Sequence, residues 1–132
     1  MNYLKKASLL IALATTISCT KNLTLDQVGT KPNTEQTIAF VEEYITQTFY
    51  DSSSVKGLRI KEPVYGKIFV GNYFPMPQKG WVICFQVNAK NLMGSYTGMD
   101  RLSIGVQNME LKPHGGVDVG WQNCRNANWL KE

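Results

Sequence analysis

Histidine is almost absent from this chain: His114 is the single imidazole in 132 residues. Cysteine is scarce as well, and Cys19, Cys84 and Cys124 stand too far apart for the short ligand spacings of a zinc site. No metal and no cofactor is therefore expected. The glycine signatures of phosphate and nucleophile sites are missing too: neither GxGxxG, nor a P-loop, nor GxSxG occurs. The glycine-rich "PHGGVDVG" has no helical pattern after it, so it does not read as a phosphate cradle. Charge of either sign is thin, with 14 Lys and Arg against 10 Asp and Glu, and the cations form no cluster. Such a surface gives little grip on nucleic acid. No apolar run reaches the ~20 residues that a membrane-spanning helix needs.

What the N-terminus does hold is an export signal. Lys5 and Lys6 precede an uncharged apolar stretch from Ala7 to Ile17, followed by small Ser18 and Cys19. A positive n-region, a short apolar core and a small residue before the cut are the parts of a secretory signal peptide. The segment around Ser18 and Cys19 resembles the lipobox of bacterial lipoproteins, with Thr16 where Leu is usual. That resemblance implies a signal peptide over residues 1–18 and acylation of Cys19 as the first mature residue. It also implies, from Thr20 in place of Asp, export to the outer membrane, facing the periplasm. Losing Lys5 and Lys6 lowers the net charge from +4 to +2. Residues 19–33, polar and without periodicity, read as the acylated cysteine and a flexible tether, and residues 34–132 as one domain.

Outside the cytosol, the two remaining cysteines, Cys84 and Cys124, are expected to pair. Closing a loop of about 40 residues contributes about 4 kcal/mol in the chain-entropy account. A catalytic Cys84–His114 pair would need a free, exposed thiolate. Cys84 instead lies inside the apolar "WVICFQV". The carboxylates are scattered: Glu42 and Glu43 are adjacent and point to different sides of a helix, and nothing brings Asp100 to Asp118. No enzymatic activity is expected.

"NTEQTIAFVEEYITQTFYD" carries the helical signal. Ile38, Val41, Ile45 and Phe49 recur at helical spacing, Phe40 and Tyr44 widen the stripe, and Asn33 or Thr34 can cap the start. Strand patterns follow at residues 58–61, in "KIFVGNY", in "WVICFQV", in "RLSIGVQNMEL" and in "VDVGW". "WVICFQV" is apolar on both faces, which places it centrally in a sheet. "RLSIGVQNMEL" sets Leu102, Ile104 and Val106 on one face and Arg101, Ser103 and Gln107 on the other. The tail "NCRNANWLKE" reads as a turn or a short helix. The expected fold class is α+β, one N-terminal helix packed on an antiparallel sheet of four to five strands.

The apolar run ends abruptly in "NAKNLMGSYTGM". Asn88 and Asn91 suit backbone amides left free where a ladder stops, and Gly94 and Gly98 suit positive φ. Tyr96 can bury its ring while its hydroxyl finds a backbone partner. Each of these residue types has a structural job, so the motif reads first as architecture; Leu92 and Met93, apolar within a polar loop, make Asn88, Lys90, Asn91, Leu92, Met93, Tyr96 and Thr97 a candidate recognition loop as well. Trp81, Trp121 and Trp129, with Tyr65, Tyr73 and Phe74, could line an aromatic face for glycans, but core and edge packing is the favoured reading, since Trp81 opens a central strand and Trp121 continues the alternation of Val117 and Val119. "YDSSSVKGLRI" and the "VNAKN…GSYTG" segment together resemble a family of small bacterial envelope and phage-borne proteins. The matching positions are Asp51, Ser54, Cys84, Val87, Asn88, Ala89, Lys90, Asn91, Gly94, Tyr96, Thr97 and Gly98, with Ser53 and Ser95 departing from the pattern. The resemblance implies a helix leading into an Asp-x-x-Ser segment and a strand carrying Cys84 into the motif; it implies no chemistry. The expected function is a monomeric, membrane-anchored binding module with an envelope protein, or a phage or toxin protein, as partner. The alternative is an inhibitor, immunity or superinfection-exclusion protein that blocks a hydrolase, toxin or phage.

Overall fold

A computed structural model describes residues 25–71, 74, 76–112 and 120–132. Expectations that fall on Lys5, Lys6, Cys19, Tyr73, His114 and Asp118 lie outside the described residues. The elements are a short α1 (Leu25–Val28), the long α2 (Thr34–Thr48), a 3-10 turn (Ser52–Ser54) and six strands. The strands are β1 (Lys56–Lys61), β2 (Val64–Val70), β3 (Met76–Asn88), β4 (Asp100–Gln107), β5 (Glu110–Lys112) and β6 (Trp129–Lys131). The molecule is α+β, with α2 packed on one face of an antiparallel sheet.

Helix α2 begins at a capping box. The Gln36 amide donates to Asn33 Oδ1 (2.9 Å), and the Asn33 amide donates back to Gln36 Oε1 (3.0 Å). Val41 and Ile45 on its inner face are buried, and Ile38, Phe40, Tyr44 and Phe49 pack half-buried around them.

Strand β3 organises the sheet. One of its edges carries β4, from Trp81 opposite Val106 to Val87 opposite Asp100. Its other edge carries β1 and β2 in succession, from Lys56 opposite Asn88 to Val70 opposite Met76. These two strands are one long strand broken at Glu62 and Pro63, because proline supplies no amide to the ladder. The break is filled by the C-terminal tail: the Glu62 amide donates to Asn128 O (2.9 Å), and the Asn128 amide donates to Glu62 Oε1 (3.1 Å).

Side chains alternate across β3 to two separate cores. Ile83, Phe85 and Val87 face α2, together with Ile60, Ile104 and Val106. Val82 and Cys84 face the opposite side, with Ile68 and Cys124. There the turn at residues 120–126 lies over the sheet, held by the Cys84–Cys124 disulfide. Gly80 and Gly105 leave room for Ile68, since a Cβ at either would sit 2.5 or 2.9 Å from that side chain. Both faces of the sheet are thus covered, which explains why β3 is apolar without alternation.

Three details differ from the sequence expectation. Among the described residues the sheet has six strands rather than four to five. "RLSIGVQNMEL" is not one strand but a hairpin, because Asn108 and Met109 both take positive φ (49° and 58°) and fold β5 back on β4. The tail also supplies a strand, β6, paired with β1, while Gly120 and Trp121 of "VDVGW" lie in the turn. Second, Ser103 and Gln107 are buried although they lie off the α2 face, because Gly120 presses on Ser103 and Gln107 donates to Lys79 O (2.7 Å). Third, the segment assigned to a tether joins the fold well before Thr34. Val28 is fully buried, Trp81 Nε1 donates to Gly29 O (3.1 Å), and the Asn108 amide donates to Val28 O (2.7 Å). Leu23, Leu25 and Val28, scattered in a polar stretch without a sustained helical or strand spacing, are too weak a signal to reveal that packing.

Cys84→Ser and Cys124→Ser should each lower stability by up to about 4 kcal/mol. Because both remove one bond, the double variant should melt near the single ones; summed losses in thermal melts would show separate roles. The Asn128 backbone hydrogen bond, aided by the Lys31 charge, holds the Glu62 carboxyl below the usual carboxylate range. A lowered folded pKa contributes stability above the unfolded pKa, and it is lost as pH falls through the folded value. Protection of the amides at residues 128–131, taken relative to the intrinsic exchange rate at each pH, should therefore fall in acid, and Glu62→Gln should flatten that dependence.

Candidate recognition site

The loop between β3 and β4 is built on the 3-10 turn. Ser54 Oγ donates to Asp51 O (2.7 Å) and accepts the Lys90 amide (2.9 Å). Ser54 O accepts the Tyr96 hydroxyl (2.8 Å). The "DSSS" and "NAKN…YTG" segments, more than thirty residues apart in sequence, are therefore one device in space. Lys90 and Tyr96 also face each other as an isolated antiparallel bridge. Above it Asn91 closes the tip: its Oδ1 accepts the amides of Met93 (2.9 Å) and Ser95 (3.1 Å), and its own amide donates to Ser95 O (2.9 Å). Gly94 takes φ 78° inside this Asx-type turn, a conformation glycine adopts without steric cost.

This bracing leaves two apolar side chains outside. Leu92 is 77% exposed and Met93 87%, while Tyr96 is 36% exposed beneath them. Lys56 Nζ lies 4.4 Å and Lys90 Nζ 5.8 Å from the centre of the Tyr96 ring. Such contacts orient the ammonium groups around the base of the tip. Of the sequence-selected residues, Lys90, Asn91, Leu92, Met93 and Tyr96 belong to this unit, and Thr97 lies exposed beside it. Asn88 does not do what the sequence leads one to expect: it is the last residue of β3, opposite Lys56, and its buried Oδ1 has no hydrogen-bond partner among the described residues. Ser54 and Lys56 were missed as loop components. The Asp-x-x-Ser spacing was the available signal for Ser54.

The aromatic residues do not form one face. Trp81 lies on the α2 side, edge-on to Tyr65 (5.9 Å between centroids). Trp121 and Trp129 pair on the other side (6.3 Å), and cations occupy their neighbourhood. Arg59 sits 4.1 Å over Trp129, and Arg101 5.5 Å from Trp121. Buried Lys61 lies between the two rings and donates to Cys124 O (2.8 Å). This cluster fastens the disulfide-bearing turn and leaves little open indole face for a sugar ring.

No family model, curated protein or solved structure matches the chain.

Ser54→Ala should leave the Lys90 amide without its side-chain acceptor and cost about 1–3 kcal/mol. Faster hydrogen exchange at Lys90 would report the loosened loop. Lys61→Met should cost about 1.5–3 kcal/mol through the lost charged hydrogen bond to the turn, with a shift in tryptophan emission.

Proposed function

We propose that this protein is a lipid-anchored envelope binding module that holds a partner protein with its β3–β4 loop and performs no chemistry of its own. The observation that carries this reading is the pairing of exposure with bracing. Leu92 and Met93 are displayed on a backbone whose turns are fixed by Ser54, Asn91 and Tyr96. Single exposed apolar side chains are common on protein surfaces. Two neighbours at the tip of a cross-braced loop form a preorganised knob, which loses little conformational entropy when it enters a partner. The thioether of Met93 adapts to varied apolar surfaces.

The anchor rests on the signal-like residues 1–18 and on Cys19. A disulfide between the other two cysteines suits the same oxidising compartment. A projecting knob also suits occupation of the cleft of a hydrolase, toxin or phage protein, which is the inhibitory form of the same reading.

Envelope extract passed over the protein and over Leu92→Asp/Met93→Asp tests the assignment. Both positions are exposed, so the variant should melt like the parent while losing at least one captured partner. Equal recovery of every partner would remove the loop from consideration.

A further inference from the structure

A second exposed apolar tip lies at the other end of β3. Phe74 is 86% exposed and Met76 59%, where the β2–β3 hairpin turns. Behind that tip Lys67 and Lys79 stand directly opposite each other, both exposed. Like charges so placed repel and weaken a hairpin, and no acidic side chain of the surrounding sequence offsets them. From Pro63 to Met99 there is not one Asp or Glu. Lys79 Nζ lies 5.9 Å from the centre of the Tyr65 ring, which leaves its charge in place. An apolar tip backed by two ammonium groups matches an anionic lipid surface, with an aromatic ring at headgroup depth.

The position of the chain entry makes the match geometric. Val28 and Gly29 are fixed beside Asn108 and Trp81, so the chain enters the fold near the middle of β3, on the half that leads to Met76. From Trp81 the hairpin runs five residues further to Met76, about 17 Å at strand rise. Six residue steps separate Cys19 from Leu25, a reach of at most about 22 Å. That reach exceeds the span to Met76, so it is long enough for an acyl chain on Cys19 to share one plane with the hairpin tip. Leu92 and Met93 lie beyond the opposite end of β3, a further seven residues from Trp81 to Asn88, or about 23 Å, plus the loop itself.

We propose that the tip of the β2–β3 hairpin, Phe74 and Met76 in front of the facing Lys67 and Lys79, rests in the headgroup region of the anionic bilayer that holds the Cys19 lipid. The recognition loop is thereby presented on the membrane-distal side. The inference rests on the anchored reading given above.

Nitroxide labels at Met76→Cys and, separately, Leu92→Cys test it in the full processed chain, reconstituted in vesicles of phosphatidylethanolamine and phosphatidylglycerol. Collisions with oxygen, which partitions into lipid, should exceed those with a water-soluble nickel chelate several-fold at 76 and not at 92. Lys67→Glu/Lys79→Glu should return the 76 label to water. A 76 label that is aqueous in the parent protein overturns the proposal. So does one shielded from both relaxants, the pattern of burial against another protein or a second copy. An unchanged label in the charge-reversed variant also overturns it. The anchor is scored separately by the mass of the chain. A lipid-free chain that floats with the vesicles through residue 76 keeps the hairpin contact and removes the anchor. A lipid-bearing chain with residue 76 in water does the reverse, and a lipid-free chain that stays in solution removes both.

Discussion

Burial of β3 on both faces is the constraint from which the remaining architecture follows. A single strand with apolar side chains up and down needs two covers, and this chain supplies them from opposite ends of its sequence. Helix α2 comes first and brings Val41 and Ile45 to Ile83 and Phe85. The turn carrying Cys124 comes last and meets Val82 and Cys84 from behind. Three stranded helices or a thicker sheet are unnecessary at this size; a small domain reaches adequate burial by spending its longest strand at the centre. The glycines opposite Ile68 are part of the same solution, because they let the β2–β3 ribbon close over β4 without a cavity.

The polar groups reinforce the second cover more than the first. On the α2 face contact is almost wholly apolar. On the other, Lys61 bonds the carbonyls of Cys124 and Arg125, Trp121 Nε1 donates to Leu102 O, and Arg59 spans from Trp129 to Glu132. A turn without regular secondary structure presents unpaired carbonyls, and buried carbonyls need donors. Lys61 adds a charged donor to Cys124 O, which also accepts the Ala127 amide, and reaches Arg125 O, which accounts for a lysine in this buried position.

How far these features could be read from the sequence depended on the range of the interaction responsible. Helix α2 was legible because its spacing and the Asn33 cap are local. The central place of β3 was legible from its unbroken apolar run, and the cysteine pair from counting the cysteines that the expected signal peptide and lipobox leave over. The loop was legible in outline, since Asn91 and Gly94 act within a few residues of themselves. What escaped were effects produced by distant partners. Val28 is buried by Trp81 and Asn108, Ser103 by Gly120, and the role of Ser54 emerges only when Lys90 and Tyr96 arrive beside it. The β4–β5 hairpin escaped for another reason: Asn108 and Met109 adopt left-handed geometry without a glycine to announce it. Asn88 was overread, because an asparagine near a strand end suits a cap only when an unpaired amide lies within reach.

Complete burial of Cys84 also carries a kinetic consequence. The meander around this sulfur consists of neighbouring hairpins, which close rapidly because little chain has to be organised for each contact. Its partner lies forty positions later in the sequence. Thiol exchange requires an approaching sulfur or an oxidant to reach the thiolate, and the finished sheet with its posterior turn in place admits neither. Oxidation must therefore occur in a collapsed intermediate whose last segment is still swung open. Formation of the bond is then a race between covalent closure and tight packing.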